Sequence, residues 1–283
     1  TMTYEAITEV VGNIDLIFLL IGAAILLIEI VEILVKGTFK RRTLFEMGAS
    51  LSTQIPSILV ETVLLTTGYA LYYIIAEATV SWSIPLTWCG LGAAVLVADF
   101  IYYWEHRIAH EVRLLWTQHA VHHSSRDMNI VTAVRFGPLE GVWAVIVHIP
   151  ILFMGFSPEA IIGAQIVVLA YQTWLHTELI GKLGPLELVL NTPSHHRVHH
   201  GCDDIYLDKN YAGILIIWDR MFGTFQEEIE TPRYGLKREF DSQNPFTVWF
   251  SELPELYQNL RGAKSGYEIR MYLFGPPGWT PND

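Results

Sequence analysis

The chain has 283 residues, of which 51% are hydrophobic and 17% charged, and its mean hydropathy is +0.32. A formal net charge of −11 argues against nucleic acid as a partner, and two cysteines cannot supply a disulfide framework. So apolar a composition also fits a soluble domain poorly, and an integral membrane protein is expected.

The first predicted element is the apolar stretch Ile14 to Val35, long enough for the roughly 20 residues that a bilayer crossing needs. No Lys or Arg precedes Lys36, so a cleaved signal peptide with a basic start is not expected. Further spans are predicted at Gln54 to Ala76, Pro85 to Tyr103, Leu139 to Phe156 and Ala160 to Leu175. The last two are split by Ser157-Pro158 and could instead form a re-entrant hairpin. Basic residues set the orientation. Lys36, Lys40, Arg41 and Arg42 follow the first span, Arg107, Arg113, Arg126 and Arg135 lie between the third and fourth, and the rest begin at Lys182. With an outside N-terminus every one of them falls on one side, which the positive-inside rule makes cytoplasmic. Glu5, Glu9 and Asp15 then lie outside, while Glu29, Glu32, Glu61 and Asp99, within spans, are expected to face the protein interior.

Ten of the eleven histidines fall in four clusters: His106/His110, His119/His122/His123, His176, and His195/His196/His199/His200. A buried imidazole costs free energy unless both ring nitrogens find partners, so such clustering points to metal. His106 and His110 stand four apart, on one helix face. The two H-x-x-H-H trios, 119/122/123 and 196/199/200, are each expected to aim three ring nitrogens at one point. His148, alone in Val-Ile-Val-His-Ile-Pro, is expected to be a hydrogen-bonded histidine of an apolar segment. Asp99, seven residues before His106 and on nearly the same face, is a candidate acceptor for a ligand histidine's second N–H, with Glu105, Glu178 and Asp204 as others.

Imidazole suits zinc, copper, iron and nickel alike, but the number of histidines exceeds the three or four that one zinc takes, so two ions are expected. No Glu-x-x-His pair of the soluble di-iron bundles occurs. An all-histidine pair of metals against a membrane points to dioxygen activation on lipids. No haem-attachment motif, dinucleotide loop or iron–sulfur cysteine set occurs, so an external reductant is required. Cys89 and Cys202 form no C-x-x-C pair and are expected to be bystanders.

The series His106-Arg-Ile-Ala-His110, His119-Ala-Val-His122-His123 and His196-Arg-Val-His199-His200 resembles the fatty acid hydroxylase/sterol desaturase superfamily of membrane di-iron oxygenases, over roughly residues 85 to 225. Within it, Trp174-Leu-His176-Thr-Glu178, Asn191-Thr-Pro-Ser-His195-His196 and the run Asp208 to Phe225 look most like members that hydroxylate the ether-linked carbon of alkylglycerols, with tetrahydrobiopterin as reductant and cleavage to aldehyde and glycerol. The resemblance implies His106, His110, His119, His122, His123, His196, His199 and His200 as ligands of two iron ions, with zinc able to substitute on overexpression. It also implies His176 as a ninth ligand and leaves His195 as a neighbour of the site. Dioxygen, a lipid and either the pterin or a redox protein are the implied partners.

From Gln226 onward polar residues rise; an amphipathic helix is expected over Phe246 to Leu260, and the Pro- and Gly-rich end is expected to be irregular or to place Trp279 in a lid. The expected whole is all-α: membrane spans in 1–84, a catalytic core in 85–225 and a cytosolic tail in 226–283. Four or five spans would carry a cytoplasmic helical cap holding the di-metal site. The alternatives are a sterol or fatty acyl hydroxylase or desaturase fed by ferredoxin or cytochrome b5, a membrane zinc hydrolase, for which the H-E-x-x-H motif is absent, and a metal transporter, which would want its ligands inside the spans.

Overall fold

The structure, a computed structural model, describes residues 2–37, 41–79 and 81–281; Lys40 and the side chain of Glu61 lie outside the described residues. Among the described residues every regular element is a helix, and the sole extended pairings are two isolated bridges, Leu190 with Leu215 and Gly201 with Tyr234. Most of each predicted apolar stretch is helical: α1 (Tyr4–Lys36), α2 (Arg41–Thr79), α3 (Trp88–Glu111), α5 (Glu140–Phe153) and α6 (Pro158–Gln172), with α4 (Arg113–His123) between α3 and α5. The capping chemistry sits where the chain needs it. Thr3, Thr87 and Ser157 each accept a first-turn backbone N–H, and Gly37 closes α1 in the left-handed region at φ 61°.

Apolar residues lie both inside and outside this bundle. Inside, Tyr72, Val145, Ile151, Leu152, Ile161 and Val168 pack around Ala94 and Ala98 of α3 and Ala160 and Ala164 of α6. These alanines, spaced four apart on each helix, let the two backbones approach closely. Outside, Leu19, Leu20 and Leu27 of α1 and Leu59, Val63 and Ile74 of α2 are exposed. α1 is the helix among the described residues long and apolar enough to cross a membrane, and 17% of its most apolar window is buried. By contrast α5 and α6 have 14 and 15 residues, rising about 21 and 22 Å against the ~30 Å of a hydrocarbon core.

Buried polar anchors fasten the irregular part of the chain to these helices. Asp99 of α3 accepts from Ile214 N (2.6 Å), Leu215 N (3.1 Å) and Trp218 Nε1 (2.8 Å), and Gly213 passes so near that a Cβ there would sit 2.8 Å from Asp99 Oδ1. Asp99 therefore holds a loop; the expectation that it receives a histidine N–H is corrected, because the backbone of 213–215 fills the space its carboxylate reaches. Glu29 of α1 accepts from Thr177 Oγ1 (2.6 Å) and Ile130 N (3.2 Å), tying the first helix to the segments on either side of the histidines. Arg135, with 0% exposure, bonds Glu46 Oε2 of α2 at 3.0 Å and Val121 O of α4 at 3.2 Å.

The histidine-bearing α7 (Pro193–His199) is followed by α8 (Ile217–Phe222). The predicted helix over 246–260 is interrupted: α9 (Pro245–Trp249) stops and α10 (Leu253–Gly262) restarts with Pro254 in its first turn, since a proline lacks the N–H that a continuous helix would need there. α11 (Gly266–Phe274) was not anticipated from the sequence; it lies against α4, where Arg113 N donates to Gly275 O at 3.0 Å. Trp279 packs edge-on against Tyr267 and Tyr272 of that helix, which makes it part of the tail's own packing.

The Glu46–Arg135 pair gives a test. Glu46→Ala leaves a buried guanidinium without its counter-charge and should lower stability by about 3–5 kcal/mol, whereas Asp204→Ala, which removes the exposed partner of Lys237, should leave the thermal midpoint unchanged. Thermal unfolding of both variants in one detergent makes the comparison.

Candidate metal centre

The nine expected ligand histidines converge, in two groups. His106, His110, His119, His123 and His199 form one, and His122, His176, His196 and His200 the other; in each, the ring nitrogens offered lie within 4.8 Å of one another, and all nine rings are buried.

Their division corrects a detail read from the sequence. Neither H-x-x-H-H trio serves a single point. From α4, His119 and His123 enter the first group and His122 the second; from α7 and its C-cap, His196 and His200 enter the second group and His199 the first. The cause is helical geometry: residues four apart share a face, whereas an adjacent residue is turned by about 100°. Each trio thus gives a pair to one centre and one ring to the other, and the two motifs interlock. His123 stacks on His200 across the division, with centroids 4.5 Å apart.

Hydrogen bonds on the far side of the rings orient them. Nδ1 of His106 lies 2.8 Å from Tyr211 O, that of His122 3.2 Å from Arg135 O, that of His176 3.1 Å from Gln172 O, and that of His199 3.0 Å from Lys209 O. His119 Nδ1 lies 2.6 Å from Glu140 Oε1. Since a carbonyl or carboxylate oxygen accepts, each of these nitrogens carries the proton, and a neutral ring then presents a bare lone pair at Nε2. Asp208 and Asn210, both non-glycine residues at positive φ (58° and 56°), flank Lys209 and aim its carbonyl at His199. Asp and Asn tolerate that conformation better than other side chains.

The inward nitrogens cannot all satisfy one another. His106 Nε2 is 3.0 Å from His119 Nε2, and His122 Nε2 is 3.1 Å from His176 Nε2. In both pairs the protons are committed to Nδ1, so two lone pairs face each other. His110 Nε2 and His199 Nε2 have no hydrogen-bond partner at all. Protonation is no remedy: burial and the neighbouring imidazoles push His122, His123, His196 and His200 well below the usual range, and burial first of all lowers His199 to about 3. A cation in each group turns these contacts into bonds, so the residues present fit a pair of metal ions.

The remaining candidates lie elsewhere. His195 joins neither group; it faces Phe225 and sits 4.0 Å from Glu187 Oε2. Glu178 accepts from Tyr234 Oη at 3.2 Å and Asp204 pairs with Lys237 at 2.8 Å on the surface, both away from the rings because their loops point outward. Glu105 touches no metal-facing histidine; its Oε2 is 3.5 Å from His148 Nδ1, and His148 stands outside both groups with the same nitrogen 2.9 Å from Ala144 O. The carboxylate that orients a ring, Glu140, was missed by sequence reasoning, as were four backbone carbonyls. Glu140 starts α5 twenty-one residues after His119, and no spacing rule joins them.

A cavity of about 440 Å³ opens beneath the rings, bounded by His106, His119, His122 and His176 at one end and by α3, α5 and α6 along its length. Its walls are mainly apolar, with Val145, Ile166, Val168 and Leu169 among them.

Residues 91–224 match the family described as fatty acid hydroxylase. Alkylglycerol monooxygenase of Homo sapiens is 39% identical over 239 residues, 84% of this chain and 53% of the human protein. The Xenopus tropicalis alkylglycerol monooxygenase is 44% identical over 202 residues, 71% of this chain and 44% of that protein. Ornithine lipid hydroxylase OlsE of Rhizobium tropici is 31% identical over 132 residues, 46% of this chain and 40% of its own length. The chain spans about half the length of the alkylglycerol monooxygenases it matches. No solved structure matches it.

Glu140→Ala should weaken metal binding about 10- to 100-fold with the helices intact, because the partner that fixes a ligand ring also raises its basicity. Chelator competition at fixed pH measures the loss, and Glu140→Gln should fall between the two. Unchanged affinity in Glu140→Ala would mean that His119 is not a ligand.

Proposed function

Because the chain carries a fatty acid hydroxylase domain over residues 91–224, we propose that it is a membrane-bound di-iron monooxygenase that hydroxylates the ether-linked carbon of alkylglycerols, releasing an aldehyde and glycerol. The observation that carries this reading is the pair of histidine groups at the head of an apolar cavity, in a chain 39–44% identical to three vertebrate alkylglycerol monooxygenases. His106, His110, His119, His123 and His199 would hold one ion and His122, His176, His196 and His200 the other. Iron, once bound, supplies the redox capacity to activate dioxygen, which zinc lacks. Two electrons come from outside, from tetrahydrobiopterin in this reading.

The chain's own residues position and protect. Glu140 and the carbonyls of Tyr211, Arg135, Gln172 and Lys209 lock the rings, so the ligands need little reorganisation when a metal binds. Burial keeps the imidazoles of His122, His123, His196, His199 and His200 neutral, the form a metal takes. The cavity wall of α5 and α6 keeps water from the apolar chain beside the site and holds the substrate carbon near the rings. In the membrane, α1, α2 and α3 would cross, and α5 and α6, too short to cross upright, would dip in as a hairpin from the side that bears the histidines. The distribution of Lys and Arg makes that side cytoplasmic.

The assay is iron-loaded protein in lipid with 1-O-hexadecylglycerol, dioxygen and tetrahydrobiopterin, read as fatty aldehyde. Aldehyde should form, and His199→Ala should abolish it while eluting and unfolding like the parent protein. If no aldehyde forms with the pterin, yet a sterol or fatty acyl lipid is oxidised with ferredoxin and its reductase, the substrate and reductant assigned here are wrong.

A further inference from the structure

One wall of the cavity is not apolar. Glu105 of α3, His148 of α5 and Gln165 of α6 all line it, beside Tyr72 of α2, whose hydroxyl donates to Val145 O at 2.8 Å. Two oxygens of this set have no hydrogen-bond partner in the protein, Glu105 Oε2 and Gln165 Oε1. An unpartnered buried oxygen costs free energy, and two on one cavity wall point to a ligand group that relieves them. Both belong to terminal carboxyl or amide groups, whose last torsion is soft, so a small rotation turns them into the cavity.

Their depth narrows the chemistry. Glu140, which orients His119, and His148 are eight residues apart on α5, about 12 Å along the axis. Gln172, which orients His176, and Gln165 are seven apart on α6, about 10 Å. The polar wall therefore stands about two helical turns from the residues that orient the rings, reached on α3 by the Glu105 side chain, whose carboxyl meets His148. The walls nearer the membrane face, Ile166 and Leu169, are apolar and partly exposed. A plain hydrocarbon chain would bury both orphan oxygens unrelieved. A hydroxyl both donates and accepts, and so satisfies a carboxyl and an amide oxygen alike.

We propose that Glu105 and Gln165 form a hydroxyl-recognition site in the lipid cavity, which selects a substrate with one or two free hydroxyls that reach this wall while another carbon lies at the histidines. This rests on the cavity being the lipid site of the oxygenase reading. The hydroxyls can be those of the glycerol end or one on the chain itself, and the recognition chemistry is the same.

Binding separates the possibilities without turnover. Zinc-loaded protein in lipid nanodiscs is titrated, by displacement of a fluorescent lipid, with two pairs: 1-O-hexadecylglycerol against its 2,3-di-O-methyl ether, and methyl 16-hydroxyhexadecanoate against methyl hexadecanoate. In the parent protein the free-hydroxyl member of at least one pair should bind about tenfold tighter, the yield of one well-made buried hydrogen bond. In Gln165→Met and Glu105→Leu the discrimination should shrink below about threefold while the capped ligand binds as before. Equal binding within both pairs by the parent protein overturns the site, and this result needs no variant to fold. Full discrimination retained in both variants overturns it too. If only the chain-hydroxyl pair is distinguished, the hydroxyl site stands and the alkylglycerol assignment fails. If the parent protein makes aldehyde from the alkylglycerol yet tells neither pair apart, the assignment stands and the hydroxyl site fails.

Discussion

Lone pairs that face lone pairs are the constraint on which this structure depends. Five rings have their Nδ1 protons committed to outward oxygens, so their Nε2 atoms are bare acceptors in a buried space: His106 faces His119 and His122 faces His176 at about 3 Å, and His199 has no partner. No arrangement of protons satisfies all nine rings at once, and burial opposes charging those of His122, His123, His196, His199 and His200. Metal cations resolve the conflict, and the fold reads as scaffolding built to sustain it.

That scaffolding works by fastening irregular chain to long helices with buried carboxylates and one arginine. Asp99 holds the loop that carries Tyr211, Glu29 holds Thr177 next to His176, and Arg135 ties α2 to the helix of the central trio while its own carbonyl accepts from His122. Asp219 closes the ring of anchors by accepting from the backbone N–H groups of Tyr211 and Ala212 at 2.8 Å each. Each anchor satisfies a polar group that would otherwise be stranded beside the bundle, and each also sets the direction of a ring. Stability and ligand geometry therefore rest on the same contacts, because the segments these anchors hold carry the rings or the carbonyls that orient them.

The histidines were legible in the sequence because spacing on a helix is a strong local rule. The apolar stretches were legible from their continuous hydrophobicity, and most of each lies within a helix. What the sequence hid was long-range. The partition of each trio between two centres depends on how α4 and α7 face each other, and the orienting oxygens are mostly backbone carbonyls, which no residue type advertises. Asp99 shows the limit of the face rule: it does lie on the buried side of α3 with His106, but the loop at 213–215 reaches it first. The break at Pro254 could have been drawn from the proline itself, and the short α11 has no comparable signal.

Nine histidines that hold two ions should divide them as the rings are divided. Anomalous diffraction from crystals of iron-loaded protein, with data on either side of the iron edge, tests it most directly. Two peaks per chain are expected, one ringed by His106, His110, His119, His123 and His199 and one by His122, His176, His196 and His200. A single peak shared by both groups, or a peak away from these rings, would contradict it.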